Sequence, residues 1–266
     1  MPVCITGMHR SGTSLVANLL GRSGLHLGEE QDLLPASVDN TEGYWENRKF
    51  VLLNDEILLE LGGAWDFPSQ APEGWPHEER FNSLRLKAEI VLEEFAGREP
   101  WGWKDPRTSL TLPFWQSLDG IVMPFWMGRG QNLRTILCLR DPLEVFQSLR
   151  DRNFTPNSSG LDLWLTYNQN ILDFTLAEDR IVTHYDAYFR DANSELERVL
   201  DFVGMKVSPQ AIEDSTRIVS GSMRHQRSSI ASLREANVSP EVINLYVALC
   251  EEANHLQPLN SYSFAS

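Results

Sequence analysis

The chain has 266 residues, 42% hydrophobic and 23% charged, with a formal net charge of −14 at pH 7. These are ordinary proportions for a soluble globular protein, and the length is enough to bury a large core. The charge excludes general affinity for nucleic acid or anionic membrane, since the sequence-independent phosphate attraction becomes a repulsion. Any anion site must therefore be a local concentration of Arg and Lys.

In chain order, Val3 to Thr6 reads as an apolar strand running into a glycine-rich turn, and Thr13 to Arg22 as the helix that the turn opens. Such a turn makes an anion site, because N–H groups of the loop and first helical turn lack intrahelical partners and the helix dipole favours negative charge. Gly7 to Gly12, followed by Thr13 and Ser14, has the spacing of a Walker A loop, G-x-x-x-x-G-K-[ST], but Thr13 stands where the lysine belongs. The cation is Arg10, inside the loop. Its fork suits a pair of phosphate or sulfate oxygens and needs no metal to hold them.

Phe50 to Leu61 is an amphipathic helix ending at Gly62-Gly63, and Trp65 to Pro76 a loop rich in Pro and Trp. His77 to Phe95 reads as a helix stopped by Gly97, Trp101 to Trp103 as a short buried strand, and Thr135 to Leu139 as another strand. The latter ends at Arg140, with Asp141 as N-cap and Pro142 in the first turn of a helix that carries Ser148 about two turns in. Leu143 to Asp151 and Leu161 to Leu176 read as helices separated by a surface loop at 154–160 (FTPNSSG), Arg180 to Thr183 as a strand, and Asn193 to Val203 as a helix capped by Gly204.

Strands alternating with helices predict an α/β fold. The expected architecture is a P-loop-like parallel sheet flanked by helices on both faces, in one domain spanning residues 1–266, with ligands beyond the strands' carboxyl ends. Cys4, Cys138 and Cys250 lie far apart with neither zinc nor disulfide spacing, and are expected to be buried thiols. No stretch approaches the roughly twenty apolar residues of a membrane span. The phosphate loop begins at Gly7, leaving no room for a signal peptide, so the cytoplasm is the expected compartment.

HRSGTS (His9 to Ser14) resembles the 5′-phosphosulfate loop, P-[KR]-S-G-T-[TS], of sulfotransferases that use 3′-phosphoadenosine 5′-phosphosulfate (PAPS). TILCLRDPLEVFQS (Thr135 to Ser148) is similar to that family's 3′-phosphate motif, an arginine after a strand and a serine two turns into the next helix. The resemblance implies donor contacts from His9, Arg10, Ser11, Gly12, Thr13 and Ser14, and from Arg140 and Ser148. GEEQDLLP (Gly28 to Pro35) resembles the G-E-E stretch of tyrosylprotein sulfotransferases, whose second glutamate is the general base. That position falls on Glu30, with a connection one residue shorter here. WGWKDPRTSL (Trp101 to Leu110) resembles their K-D-P stretch, which puts the donor-contacting lysine at Lys104; Asp105 and Arg107 beside it can equally form a structural ion pair.

NTEGYWENRKFVLLND (Asn40 to Asp55) and LGGAWDFP (Leu61 to Pro68) are similar to segments of bacterial members. In the family a late basic loop closes over the nucleotide, a role open to Arg224 and Arg227 in SMRHQR, although the G-x-x-G-x-W-K ending of animal cytosolic enzymes is missing.

What the resemblance implies is metal-free transfer of the PAPS sulfuryl group to a hydroxyl of a glycan or small-molecule acceptor, releasing adenosine 3′,5′-bisphosphate (PAP). Glu30 is the expected base, with Glu29, His9 and Asp105 in reserve, and Arg10 and Lys104 act on the transferring group. Two rivals stand beside it. A P-loop small-molecule kinase suffers from the missing Walker lysine, and a noncatalytic PAP-binding module from the presence of both Arg10 and Lys104. Trp45, Trp65, Trp75, Trp101 and Trp103 fall around the acceptor-side segments, where aromatic faces stack on sugars, but the same rings bury large area in any core.

Overall fold

The computed structural model describes residues 2–36, 43–118, 133–153, 157–221 and 229–255. β1 (Val3–Thr6) runs through the glycine turn into α1 (Thr13–Arg22). α2 (Arg48–Glu60) starts at Asn47, whose side chain accepts from Lys49 N (3.0 Å), and α3 (Asn82–Glu93) leads to β2 (Gly102–Lys104) and α4 (Thr108–Ser117). β3 (Arg134–Leu139) precedes α5 (Pro142–Asn153) and α6 (Asn157–Phe174). β4 (Arg180–His184) is followed by α7 (Ala187–Val203), α8 (Pro209–Thr216), α9 (Ile230–Glu235) and α10 (Pro240–Glu252).

The four strands form a parallel sheet in the order β2-β1-β3-β4, with Cys4 opposite both Trp103 and Thr135, and Leu137 opposite Val182. Buried on both faces, the strands send alternate side chains to different cores. Val3, Ile5, Ile136, Cys138 and Ile181 pack with α1, α7 and α8. On the other face Cys4 and Trp103 join α2, α3 and α4, while Leu137, Leu139 and Val182 join α5, α6 and α10. This is the α/β architecture expected from the alternating pattern. All three cysteines are buried and unbridged.

Several boundaries differ from the sequence reading. The helix expected from His77 begins at Asn82, because two short 3-10 turns, Trp75–His77 and Glu79–Phe81, occupy the preceding stretch. Of the expected surface loop at 154–160, residues 157–160 form the first turn of α6, and 154–156 lie outside the described residues. α4 was not expected. The helix expected from Asn193 starts at Ala187 and is interrupted at Asp191, whose φ of −154° is extended.

At the chain's later end His184 and His255 stack face to face, 3.8 Å between ring centroids. Arg190 lies 2.9 Å from His255 Nδ1, and the Tyr246 hydroxyl 3.1 Å from His184 Nε2, so these rings tie β4 to α7 and α10. Among the described residues no helix is long and apolar enough to cross a membrane.

Candidate active site

Because the strands are parallel, the residues that follow each of them gather at one edge of the sheet. After β1 the chain turns at Gly7 (φ +130°), where a Cβ would fall 2.4 Å from the Cys138 carbonyl oxygen of β3. Thr6 and Gly7 are fastened from the other side: Thr6 Oγ1 lies 2.8 Å from Ser109 Oγ, and Gly7 N donates to the same oxygen (3.1 Å). Ser11 N donates to Met8 O (3.1 Å), and Arg10 adopts φ +70°. A non-glycine residue held there costs on the order of 1–3 kcal/mol, which the surrounding structure must offset. α1 opens at Gly12 (φ +88°) with no side-chain cap, and a Cβ on Gly12 would fall 2.4 Å from the Tyr185 ring. The first turn of α1 presents its N–H groups at this loop, where the helix dipole favours an anion. Ser11, 2% exposed, has a buried hydroxyl with no hydrogen-bond partner. A loop of this kind accepts the oxygens of a phosphate or sulfate.

The strand-end arginine joins this loop directly. Arg10 Nε donates to Ser148 Oγ on α5 (2.8 Å), and Arg140 Nη1 donates to the Arg10 carbonyl (3.2 Å). Arg140 is held by Glu144 one turn on (Nε to Oε2, 2.9 Å), by the Tyr185 ring 4.6 Å beneath its guanidinium, and through its own carbonyl by Trp164 Nε1 (3.1 Å). Asp141 caps α5 as expected, its Oδ1 accepting from Leu143 N at 2.9 Å. The two motifs, 130 and 138 residues apart in these contacts, thus form one bonded unit.

Lys104, at the end of β2, is 2% exposed. Its ammonium donates to Ser14 Oγ (3.2 Å), to the Tyr44 carbonyl (3.0 Å) and to Glu46 Oε1, so three protein acceptors hold it beside the first turn of α1. Glu46 is 5% exposed, and its second oxygen, Oε2, is buried with no hydrogen-bond partner among the described residues. Burial pushes this carboxyl above the usual glutamate range, opposed by the charge and hydrogen bond of Lys104 and assisted by Asp105. Asp105 is hydrogen-bonded at both oxygens. Its Oδ2 accepts from Asn54 Nδ2 (2.8 Å) and its Oδ1 from Arg107 N (3.0 Å) and Arg107 Nη1 (3.1 Å), so the Asp105–Arg107 ion pair is formed.

His9 packs against Trp65 (4.6 Å between centroids) and edge-on to Tyr167 (5.9 Å). Burial, then the charges of Arg107, Lys104, Arg152 and Arg10, hold its imidazole well below its ordinary value, so it is neutral at pH 7. Its Nε2 is buried without a hydrogen-bond partner.

Of the other sequence candidates, two are exposed carboxylates and two fall outside the described residues. Glu30 begins an exposed 3-10 turn (Glu30–Asp32), and Glu29 pairs with Arg98 at 3.2 Å, also in solvent. Leu34 N donates to the Glu46 carbonyl (2.8 Å), so this turn and the Glu46 segment are joined through the backbone. Arg224 and Arg227 lie outside the described residues. Trp75, Trp101 and Trp103 are core residues, whereas Trp45 and Trp65 are half-buried. Glu46 carried no assignment in the sequence reading. The only local signal was a carboxylate between Trp45 and a helix N-cap, and its partner Lys104 is 58 residues away.

No protein-family model and no curated protein matches the chain. Its structure is similar to the sulfotransferase domain of the Synechococcus PCC 7002 olefin synthase, at 17% identity and a TM-score of 0.51 over 94% of both chains. It is also similar to sulfotransferase STF9 from Mycobacterium avium, at 16% identity and a TM-score of 0.50, over 93% of this chain and 75% of that one. The chain has the sulfotransferase fold.

Proposed function

We propose that this protein transfers the sulfuryl group of PAPS to a hydroxyl of a small-molecule or glycan acceptor, releasing PAP. The observation that supports this best is the bonded unit of Arg10, Ser148 and Arg140, which joins two anion-binding segments at one sheet edge. A donor with phosphate at both the 5′ and 3′ positions has use for both segments; a nucleoside triphosphate has use for only the first.

In this reading the loop from His9 to Ser14, with its N–H groups and the Arg10 fork, holds the 5′-phosphosulfate, and Arg140 with Ser148 holds the 3′-phosphate. The acceptor oxygen attacks sulfur opposite the bridging oxygen. As the new O–S bond forms, the old S–O bond breaks and its electron pair stays on the 5′-phosphate of PAP. Lys104 turns from its protein acceptors toward the bridging oxygen as negative charge grows there, a contact stronger in the transition state than before it.

The test is product analysis by mass spectrometry with PAPS and EDTA, over a panel of phenols, alkyl alcohols and oligosaccharides. PAP and a sulfated acceptor are the expected products. Phosphorylated acceptor from ATP and Mg²⁺, with none sulfated from PAPS, would establish the kinase instead, and tight PAP binding without turnover on any acceptor would leave a noncatalytic module.

A further inference from the structure

We infer that Glu46, and not Glu30, is the base that takes the proton from the acceptor hydroxyl. The inference rests on the sulfuryl-transfer reading above and assigns a residue within it. Sulfuryl transfer to a neutral alcohol needs a proton acceptor close to the transferring group, and Lys104 marks that place in the fold. Glu46 is bonded to Lys104 through Oε1, and its Oε2, shut away from water, has no hydrogen-bond partner among the described residues. A buried carboxylate oxygen left unpaired is costly, and native structures rarely leave one without a reason. An acceptor hydroxyl donating to Oε2 would satisfy it. The proton then moves from that hydroxyl to Oε2 while the oxygen bonds to sulfur and the old S–O electron pair stays on the 5′-phosphate, so the base and the cation assigned to the leaving oxygen belong to one ion pair.

The alternatives are weaker on physical grounds. Glu30 is exposed, where water competes for both its oxygens. Both oxygens of Asp105 are already hydrogen-bonded. His9 is within reach of four cations that oppose its protonation, so an imidazolium formed there is disfavoured, whereas burial of Glu46 favours the neutral acid that proton uptake creates.

The experiment compares single-turnover transfer from PAPS to phenol, which keeps its proton at mildly alkaline pH, and to 4-nitrophenol, which is largely ionised there. Glu46→Gln preserves shape and the hydrogen bond to Lys104. It is expected to slow transfer to phenol by about 10²-fold or more, to leave transfer to 4-nitrophenol within a few-fold, and to leave PAP affinity within a few-fold by calorimetry. Glu46→Asp, which keeps the carboxylate one methylene back, gives an intermediate loss on phenol and is the second variant should the first fold poorly. Equal slowing on both acceptors would mean that Glu46 only holds Lys104, and an acceptor-selective loss in Glu30→Gln instead would return the base to Glu30; either overturns the inference while sulfuryl transfer stands. A wild type that binds PAP but sulfates neither phenol would remove the transferase reading itself.

Discussion

Arg140 is buried among partners before any ligand arrives, and this decides how its role can be measured. Loss of a charge-assisted contact to the 3′-phosphate should weaken PAP binding in Arg140→Ala by roughly 1.5–3 kcal/mol, while adenosine 5′-phosphosulfate, which lacks that phosphate, binds both proteins about equally. The same change breaks the ion pair with Glu144, whose side chain is only 2% exposed, and removing one partner of such a buried pair costs about 3–5 kcal/mol of stability. Adding Glu144→Gln to Arg140→Ala should therefore restore much of the lost stability in urea unfolding without restoring PAP affinity in calorimetry. Unchanged PAP affinity in the single variant would remove Arg140 from the donor site. Arg10, Lys104, Arg140 and Ser148 were legible in the sequence because each lies in a short contiguous motif whose local geometry follows from a strand end and a helix start. Glu46 was not legible in the same way: its importance comes from an ion pair across 58 residues, which exists only once β2 and α2 have been packed together.

At the scale of elements, the N-terminus of α2 ties stability to the site. Asn47 is buried and its side chain caps the helix at Lys49 N, immediately after Glu46. Asn47→Ala should cost about 1 kcal/mol in urea unfolding, as for other lost caps, and should slow single-turnover transfer more than it weakens PAP binding, because the displaced neighbour is Glu46 and not the phosphate loop. A larger fall in PAP affinity than in transfer would contradict that order. Elements with strong local signals matched the sequence well: β1 and α1 carry the expected bounds, and β3 with the Asp141 cap differs by one residue. α4 escaped because TSLTLPFWQS contains Pro113 and two threonines, which weigh against a helix on propensity alone. The burial of Leu112, Phe114 and Trp115 in the core beside α2 and α3 outweighs that preference. The start of α6 differs from the sequence reading because Asn157, Ser158 and Ser159 favour turns on propensity alone.

For the whole molecule, a net charge of −14 opposes the approach of a polyanion, so in the proposed reading PAP gains its affinity from short-range contacts at the sheet edge, where salt screens little. Those contacts also bear on global stability. The loop from Gly7 to Gly12 is fastened to β3 through the Gly7 approach, to α4 through Ser109, to α5 through Ser148 and to the loop after β4 through Tyr185, so a ligand seated there would tie α4 and α5 on one face of the sheet to α1 on the other. Binding to the native state alone at a hundred times Kd adds about 2.7 kcal/mol, and about 2–4 °C per kcal/mol is expected for a chain near this size. PAP with EDTA should therefore raise Tm by roughly 5–10 °C. Adenosine 5′-monophosphate at the same concentration should raise it by clearly less, because Arg140 and Ser148 then have no 3′-phosphate to hold, and ATP with Mg²⁺ should do no better than the monophosphate. Scanning calorimetry of the three mixtures gives the comparison: a shift with ATP and Mg²⁺ equal to that with PAP would mean that the second anion segment contributes nothing, and the assignment of Arg140 and Ser148 to the 3′-phosphate would fall with it.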